Sequence, residues 1–265
     1  MTGRMDRGLM EVPPLGAAPG IASALRREWC QRHDSRLDLE GVLNSLGIAL
    51  MLTDLGGGAG GPQGLLTPLK DGGYRIEVDP TLPSVGVAGD DPLLDEIRRH
   101  RTRFIVAHEL AHTLFYWEGR KGPERLVHDS TEQEQFCDAL ASALLVPSGS
   151  ARDLPLHPDS VVSLHRTFDV SVEVAARALI EAHQGGVAWL MVVPDGQEEP
   201  WVQWGAEKTR DTVSPWRLLT RLADRAKDGP ASRGRLRWRG GQTTLARSLY
   251  LADRRQLVVT APSPS

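Results

Sequence analysis

Between Arg103 and Phe115 the chain reads Arg-Phe-Ile-Val-Ala-His-Glu-Leu-Ala-His-Thr-Leu-Phe, and no other stretch constrains the fold as strongly. On a helix, His108 and His112 stand one turn apart on one face. Two neutral ring nitrogens can then share one metal ion. Glu109 follows the first histidine, where its carboxylate reaches a metal-bound water rather than the metal. Phe104, Ile105, Ala107, Leu110, Ala111 and Leu114 are apolar or small, which predicts a largely buried helix. Polar groups on such a helix are costly without partners. This places a metal site ahead of the alternative, two ordinary histidines on a partly exposed helix.

A hydrolytic zinc site takes three protein ligands and leaves one position for water. Cys30 and Cys137 are the only cysteines and have no paired spacing. Residues 131–147 read as a second helix ended before Pro147, with Ser130 or Thr131 as cap. Glu134 and Asp138 lie one turn apart on it, beside an Ala- and Leu-rich surface. Glu134 is the expected third ligand, and Asp138 the group that takes a hydrogen bond from the far nitrogen of a ligand histidine. Glu132 competes with Glu134 but faces elsewhere. A purely structural account, with both glutamates favouring the helix dipole, leaves Asp138 in mid-helix, where its propensity is poor. His128 is a weaker auxiliary candidate.

From His108 to Pro147 the chain resembles the ImmA/IrrE family of bacterial metallopeptidases. In that family a His-Glu-x-x-His helix is followed by Glu-x-x-Ala-Asn-x-Phe-Ala-x-x-Leu-Leu-Met-Pro. Here the glutamate falls on Glu134, the Asn on Asp138, the Phe on Leu140, and the closing tetrad on Leu144, Leu145, Val146 and Pro147. Asp at 138 departs from the family pattern but matches the wider thermolysin-like class. Phe168-Asp169-Val170-Ser171 is similar to the downstream Phe-x-Val-Ser region, so the resemblance covers roughly residues 40–180. It implies an α+β fold with a zincin-like minimal core, and a Zn2+ ion, with Mn2+ or Fe2+ also compatible with His and carboxylate ligands. It also implies site-specific cleavage of a transcriptional repressor of the helix-turn-helix type, in a stress or mobile-element response. By analogy with other thermolysin-like enzymes, His165 is the expected oxyanion stabiliser.

Composition sets limits on other functions. The 265 residues are 40% hydrophobic, enough for one good core and a smaller second one. A net charge of −3 does not suit a polycation that seeks nucleic acid. Two distant cysteines point to a reducing compartment. The first 20 residues carry Arg4, Asp6, Arg7 and Glu11 without an apolar core, unlike a signal peptide. No run approaches the roughly 20 apolar residues of a membrane span. The expectation is a soluble, cytoplasmic protein.

Along the chain, residues 1–20 read as a flexible arm. Ile21–Arg32 and Leu37–Leu46 read as helices, the second ended by Gly47. Ile48–Leu52, Gly64–Leu69 and Tyr74–Val78 read as strands, the last two a hairpin around Gly72-Gly73. They are expected to form a small sheet against the metal helix, with an edge able to pair with an extended substrate. The glycine-rich run 56–61 lacks the Lys-Ser/Thr of a phosphate cradle. Pro92 begins a helix that runs into His108, and its arginines 98, 99, 101 and 103 read as a solvated approach. Residues 119–123 read as a loop, 147–158 as irregular. Asp159–Phe168 and Ser171–His183 form a helix pair that completes the peptidase domain, 21–184.

Residues 185–265 read as a separate α+β module, in the position of a sensory, GAF-like domain but short for a complete one. It has strands at 187–193, 201–204 and 256–260 and a helix over 215–226. Arg233, Arg235, Arg237 and Arg239 alternate with Gly234, Leu236 and Trp238, the period of a strand with one basic face. Such a face suits an anion or an acidic partner. It also supports a rival reading, a DNA-binding regulator whose binding would fall with salt. A second rival is a non-cleaving, antitoxin-like partner. The intact Glu109 weighs against that, because a retained metal site has no structural need of a base.

Overall fold

The computed structural model describes residues 11–30, 36–56, 62–70, 72–80, 92–119, 122–126, 130–183, 187–192, 201–207, 231–237, 243–250 and 255–260. It divides into two compact units, Met1–Leu145 and Val146–Ser265.

In the first unit, helices α1 (Ala18–Trp29) and α2 (Leu39–Ser45) precede strand β1 (Ala49–Leu52). Asp38 caps α2 by accepting from the Gly41 amide, and Gly47, at φ 67°, turns the chain out of it. Strands β2 (Gly64–Pro68) and β3 (Tyr74–Val78) form the expected hairpin, with Gly72 and Gly73 at φ 93° and 81°. The sheet order is β1-β3-β2, with β1 parallel and β2 antiparallel to β3. Helix α3 (Pro92–His112) is continuous over 21 residues and packs on β2 and β3. Helix α4 (Thr131–Leu145) packs on α3 and α1. Ser130 Oγ accepts from the Gln133 amide and so caps α4. Ile76, Ala107, Leu110, Phe115, Phe136, Leu140 and Leu144 fill the core. Buried Arg26 donates to the Leu144 carbonyl.

The loop expected at 119–123 joins an unexpected hairpin, whose strands β4 (Tyr116–Gly119) and β5 (Gly122–Arg125) take in residues 119, 122 and 123. Its two strands are four residues each, too short to display alternation.

The second unit opens with α5 (Ser148–Arg152), a short helix inside the stretch expected to be irregular. Helices α6 (Pro158–Phe168) and α7 (Val172–Ala182) follow. Asp169 is left-handed at φ 52°, and Ser171 caps α7 by accepting from the Val174 amide. Strands β6 (Val187–Val192), β7 (Trp201–Glu207), β8 (Ala231–Arg237), β9 (Thr243–Tyr250) and β10 (Arg255–Thr260) form one antiparallel sheet in the order β7-β6-β10-β9-β8. Strand β9 has no counterpart among the expected elements. The 215–226 helix lies outside the described residues.

Helices α6 and α7 pack on this sheet. The compact division therefore falls at 145/146, ahead of the helix pair, whereas the change in composition lies near 185. An amphipathic helix needs an apolar partner, and its periodicity does not say which one it takes. Among the described residues, no helix is long and apolar enough to cross a membrane.

Candidate metal centre

Helix α3 carries His108 and His112 on one face because they are four apart, and it is held against β2, β3 and α4 by Ile105, Val106, Ala107, Leu110 and Ala111, all buried. Helix α4 is anchored by Phe136, Cys137, Leu140 and Leu144 in the same core. Phe136 meets Phe115 edge to face, ring centroids 5.8 Å apart. Glu134 and Asp138 consequently face the histidines.

His108 Nε2 lies 3.1 Å from His112 Nε2 and 3.2 Å from Glu134 Oε2, and His112 Nε2 lies 3.5 Å from Glu134 Oε1. The rear nitrogens are also engaged. His108 Nδ1 donates to Asp138 Oδ1 at 2.9 Å. A carboxylate only accepts, so this bond puts the proton of a neutral His108 on Nδ1 and leaves Nε2 a bare lone pair. His112 Nδ1 lies 3.1 Å from the amide nitrogen of Gln133, a residue with no exposed surface. The other end of that amide, Oε1, is buried with no hydrogen-bond partner. Half a turn of the amide brings Oε1 onto an Nδ1–H and gives His112 the same tautomer as His108.

Two nitrogen lone pairs and a carboxylate oxygen converging within 3.5 Å repel one another unless a proton or a metal cation lies between them. With metal–ligand bonds of about 2.0–2.1 Å, a tetrahedral Zn2+ sets its ligands about 3.3 Å apart. The three side chains fit such an ion.

Glu109 points into the same cleft, which has a volume of ≈ 450 Å³ and is bordered by residues 62–66 of the β2 segment, by Phe104 and Ile105, and by Tyr116 and Arg125 of the β4–β5 hairpin. Burial pushes its carboxyl up to about 7; the charge of His108 opposes this, that of Glu134 reinforces it, and a hydrogen bond from the Leu66 amide opposes it. Burial alone would lower His108. The hydrogen bond and charge of Asp138, helped by the charges of Glu109 and Glu134, outweigh it and raise His108 above the ordinary imidazole value. A metal ion would oppose both shifts by favouring the neutral ring and the ionised carboxylate.

Glu132 is exposed, outside this cluster. His165 belongs to the second unit, where its Nδ1 pairs with the Val170 carbonyl at the end of α6. Arg233, Arg235 and Arg237 lie on β8, in register with Arg247, Leu245 and Thr243 of β9. Arg239 and His128 lie outside the described residues. Sequence reading missed Gln133, Leu66, Tyr116 and Arg125 as neighbours of the site. Gln133 carried a faint signal, since it lies four before buried Cys137 and so shares its face of α4.

Residues 95–179 match the family model described as the IrrE N-terminal-like domain, a peptidase family. The match supports assigning this segment to the ImmA/IrrE metallopeptidases. The match takes in His108, Glu109, His112, Glu134 and Asp138. Among solved structures, the chain is similar to a Mycobacterium tuberculosis transcriptional regulator at 14% identity and a TM-score of 0.51, over 92% of this chain and 76% of that one. At that identity the likeness concerns the fold alone. No curated protein matches the sequence. The ImmA/IrrE assignment and the His/Glu cluster together support a metal-dependent peptidase.

Proposed function

We propose that the protein is a zinc-dependent, site-specific endopeptidase whose substrate is a transcriptional repressor of the helix-turn-helix type. The observation that carries this reading is the convergence of His108 Nε2, His112 Nε2 and Glu134, with both rear nitrogens held from behind and a buried carboxylate, Glu109, in the same cleft. The sheet and helices α3 and α4 then serve as a zincin-like minimal core.

His108, His112 and Glu134 would hold the ion, and Asp138 and Gln133 would orient the two rings. When bound, Zn2+ supplies acidification of a water and polarisation of the scissile carbonyl. Glu109 takes the proton of the attacking water and delivers it to the leaving amine.

The substrate would lie extended along β2, the sheet edge beside the cleft. Asp79 N donates to Gln63 O and Leu69 N to Gly73 O, so within the β2–β3 pairing residues 63 and 69 bond inward. By alternation, the backbone groups of Gly64, Leu66 and Pro68 point outward. His165 and the arginines of β8 are kept as secondary assignments, to an oxyanion and to an acidic partner. The second unit would carry the input that triggers cleavage.

The deciding experiment measures metal content together with cleavage of a purified helix-turn-helix repressor, for the parent and for Glu109→Gln. Metal in both and cleavage only in the parent is the expected result. Equal biological activity of the two would favour a non-cleaving partner.

A further inference from the structure

Position 64 has no room for a side chain. A Cβ on Gly64 would lie 2.4 Å from Ile105 Cγ2, 2.7 Å from Glu109 Oε1 and 3.0 Å from Glu109 Cγ. The backbone itself makes no demand for glycine, because Gly64 is not among the residues with positive φ. The demand comes from the close approach of β2 to α3 at Glu109. Two residues on, the outward amide of Leu66 donates to the Glu109 carboxylate. Glu109 is thus wedged against the strand at one residue and tied to it at the next outward one.

We propose that Gly64 is a positioning residue for catalysis: its missing side chain lets β2 close on α3, so that the Glu109 carboxylate is seated against the strand and held by the Leu66 amide. This deepens the peptidase reading and rests on Glu109 acting as the base. It also limits how β2 can take a substrate. Of its outward positions Pro68 has no N–H and that of Leu66 is engaged by Glu109, so Gly64 is left as the donor to an extended peptide.

The competing account is that Gly64 only packs against Ile105. The two separate in a set of full-length variants: Gly64→Ala, Ile105→Ala, the double variant, and Leu66→Pro. Ile105→Ala removes the Cγ2 that a new Cβ would strike and leaves the encounter with Glu109. Leu66→Pro deletes the amide bound to Glu109 without taking a donor from the β3 ladder.

Metal content, thermal midpoint, and kcat and KM for the same repressor are the readouts. The expected result is parental metal content throughout, with kcat down about 100-fold in the double variant relative to Ile105→Ala and KM little changed, the loss typical of a misplaced catalytic group. Leu66→Pro should show the same split. Recovery of kcat in the double variant would overturn the proposal.

If the parent binds metal but cuts nothing, the peptidase reading fails by itself. The crystal structure of the double variant with Zn2+ then decides the positioning role. The Glu109 carboxylate is expected to leave the Leu66 amide, and finding it in place would refute the assignment.

Discussion

Gln133, on the first turn of α4 and wholly buried, places its amide 3.1 Å from Nδ1 of His112, so one helix both brings Glu134 to the His/Glu cluster and contacts a histidine of the other helix from behind. Partners of this kind typically contribute 10–100-fold in metal affinity. Gln133→Leu should weaken Zn2+ binding by about that factor, measured by competition with a chromophoric chelator. Gln133→Glu keeps an acceptor for Nδ1–H and should recover most of the loss. Equal affinity in all three proteins would remove Gln133 from the site.

Asp138 plays the corresponding part for His108 at 2.9 Å. Asp138→Ala should cost about 10–100-fold in affinity. Asp138→Asn, the residue found in the family pattern, can still accept from Nδ1 and should cost less. A larger loss in the Asn variant than in the Ala variant would contradict an acceptor role.

The raised Glu109 carboxyl links folding to pH in the metal-free protein. It titrates near 7 when folded against an ordinary 4.5, so the stability it contributes is fully present below about pH 4.5 and is lost as pH rises through about 7. The loss is about 3 kcal/mol at most. Glu109→Gln is neutral at every pH. It should melt higher than the parent at pH 8 and together with it at pH 4, and saturating Zn2+ should shrink the gap at pH 8. A gap that widens as pH falls would reverse the sign and refute the assignment.

Phe136 is fully buried and meets Phe115 edge to face. Phe136→Ala should destabilise the protein by about 3–5 kcal/mol. Because α4 carries Glu134, Gln133 and Asp138, Zn2+ affinity should fall as well. Thermal melts with and without Zn2+ would test both, and weakened folding with unchanged affinity would mean that the site does not depend on this packing.

Much of the first unit could be read from local order. The spacing of His108 and His112 sets both rings on one helical face wherever that helix lies. Ser130, one of the two residues expected as cap, starts α4. The strand Tyr74–Val78 has the bounds given by its alternation and its glycine turn. Such features depend on neighbours within about four residues, and the sequence lists those neighbours directly.

The pairing of Gln133 with His112, the seat of Glu109 against Gly64 and Leu66, and the packing of α6 and α7 on the second sheet belong to another class. Each joins segments that are separate in the chain, or gives an amphipathic face one partner among several apolar surfaces. Sequence alone determined the residue types of the His/Glu cluster, the spacing of the two histidines and the chemistry they permit. Only the tertiary structure decided which amide lies on His112 and which strand lies against Glu109, because these depend on distances between elements, and periodicity along a chain carries no information about them.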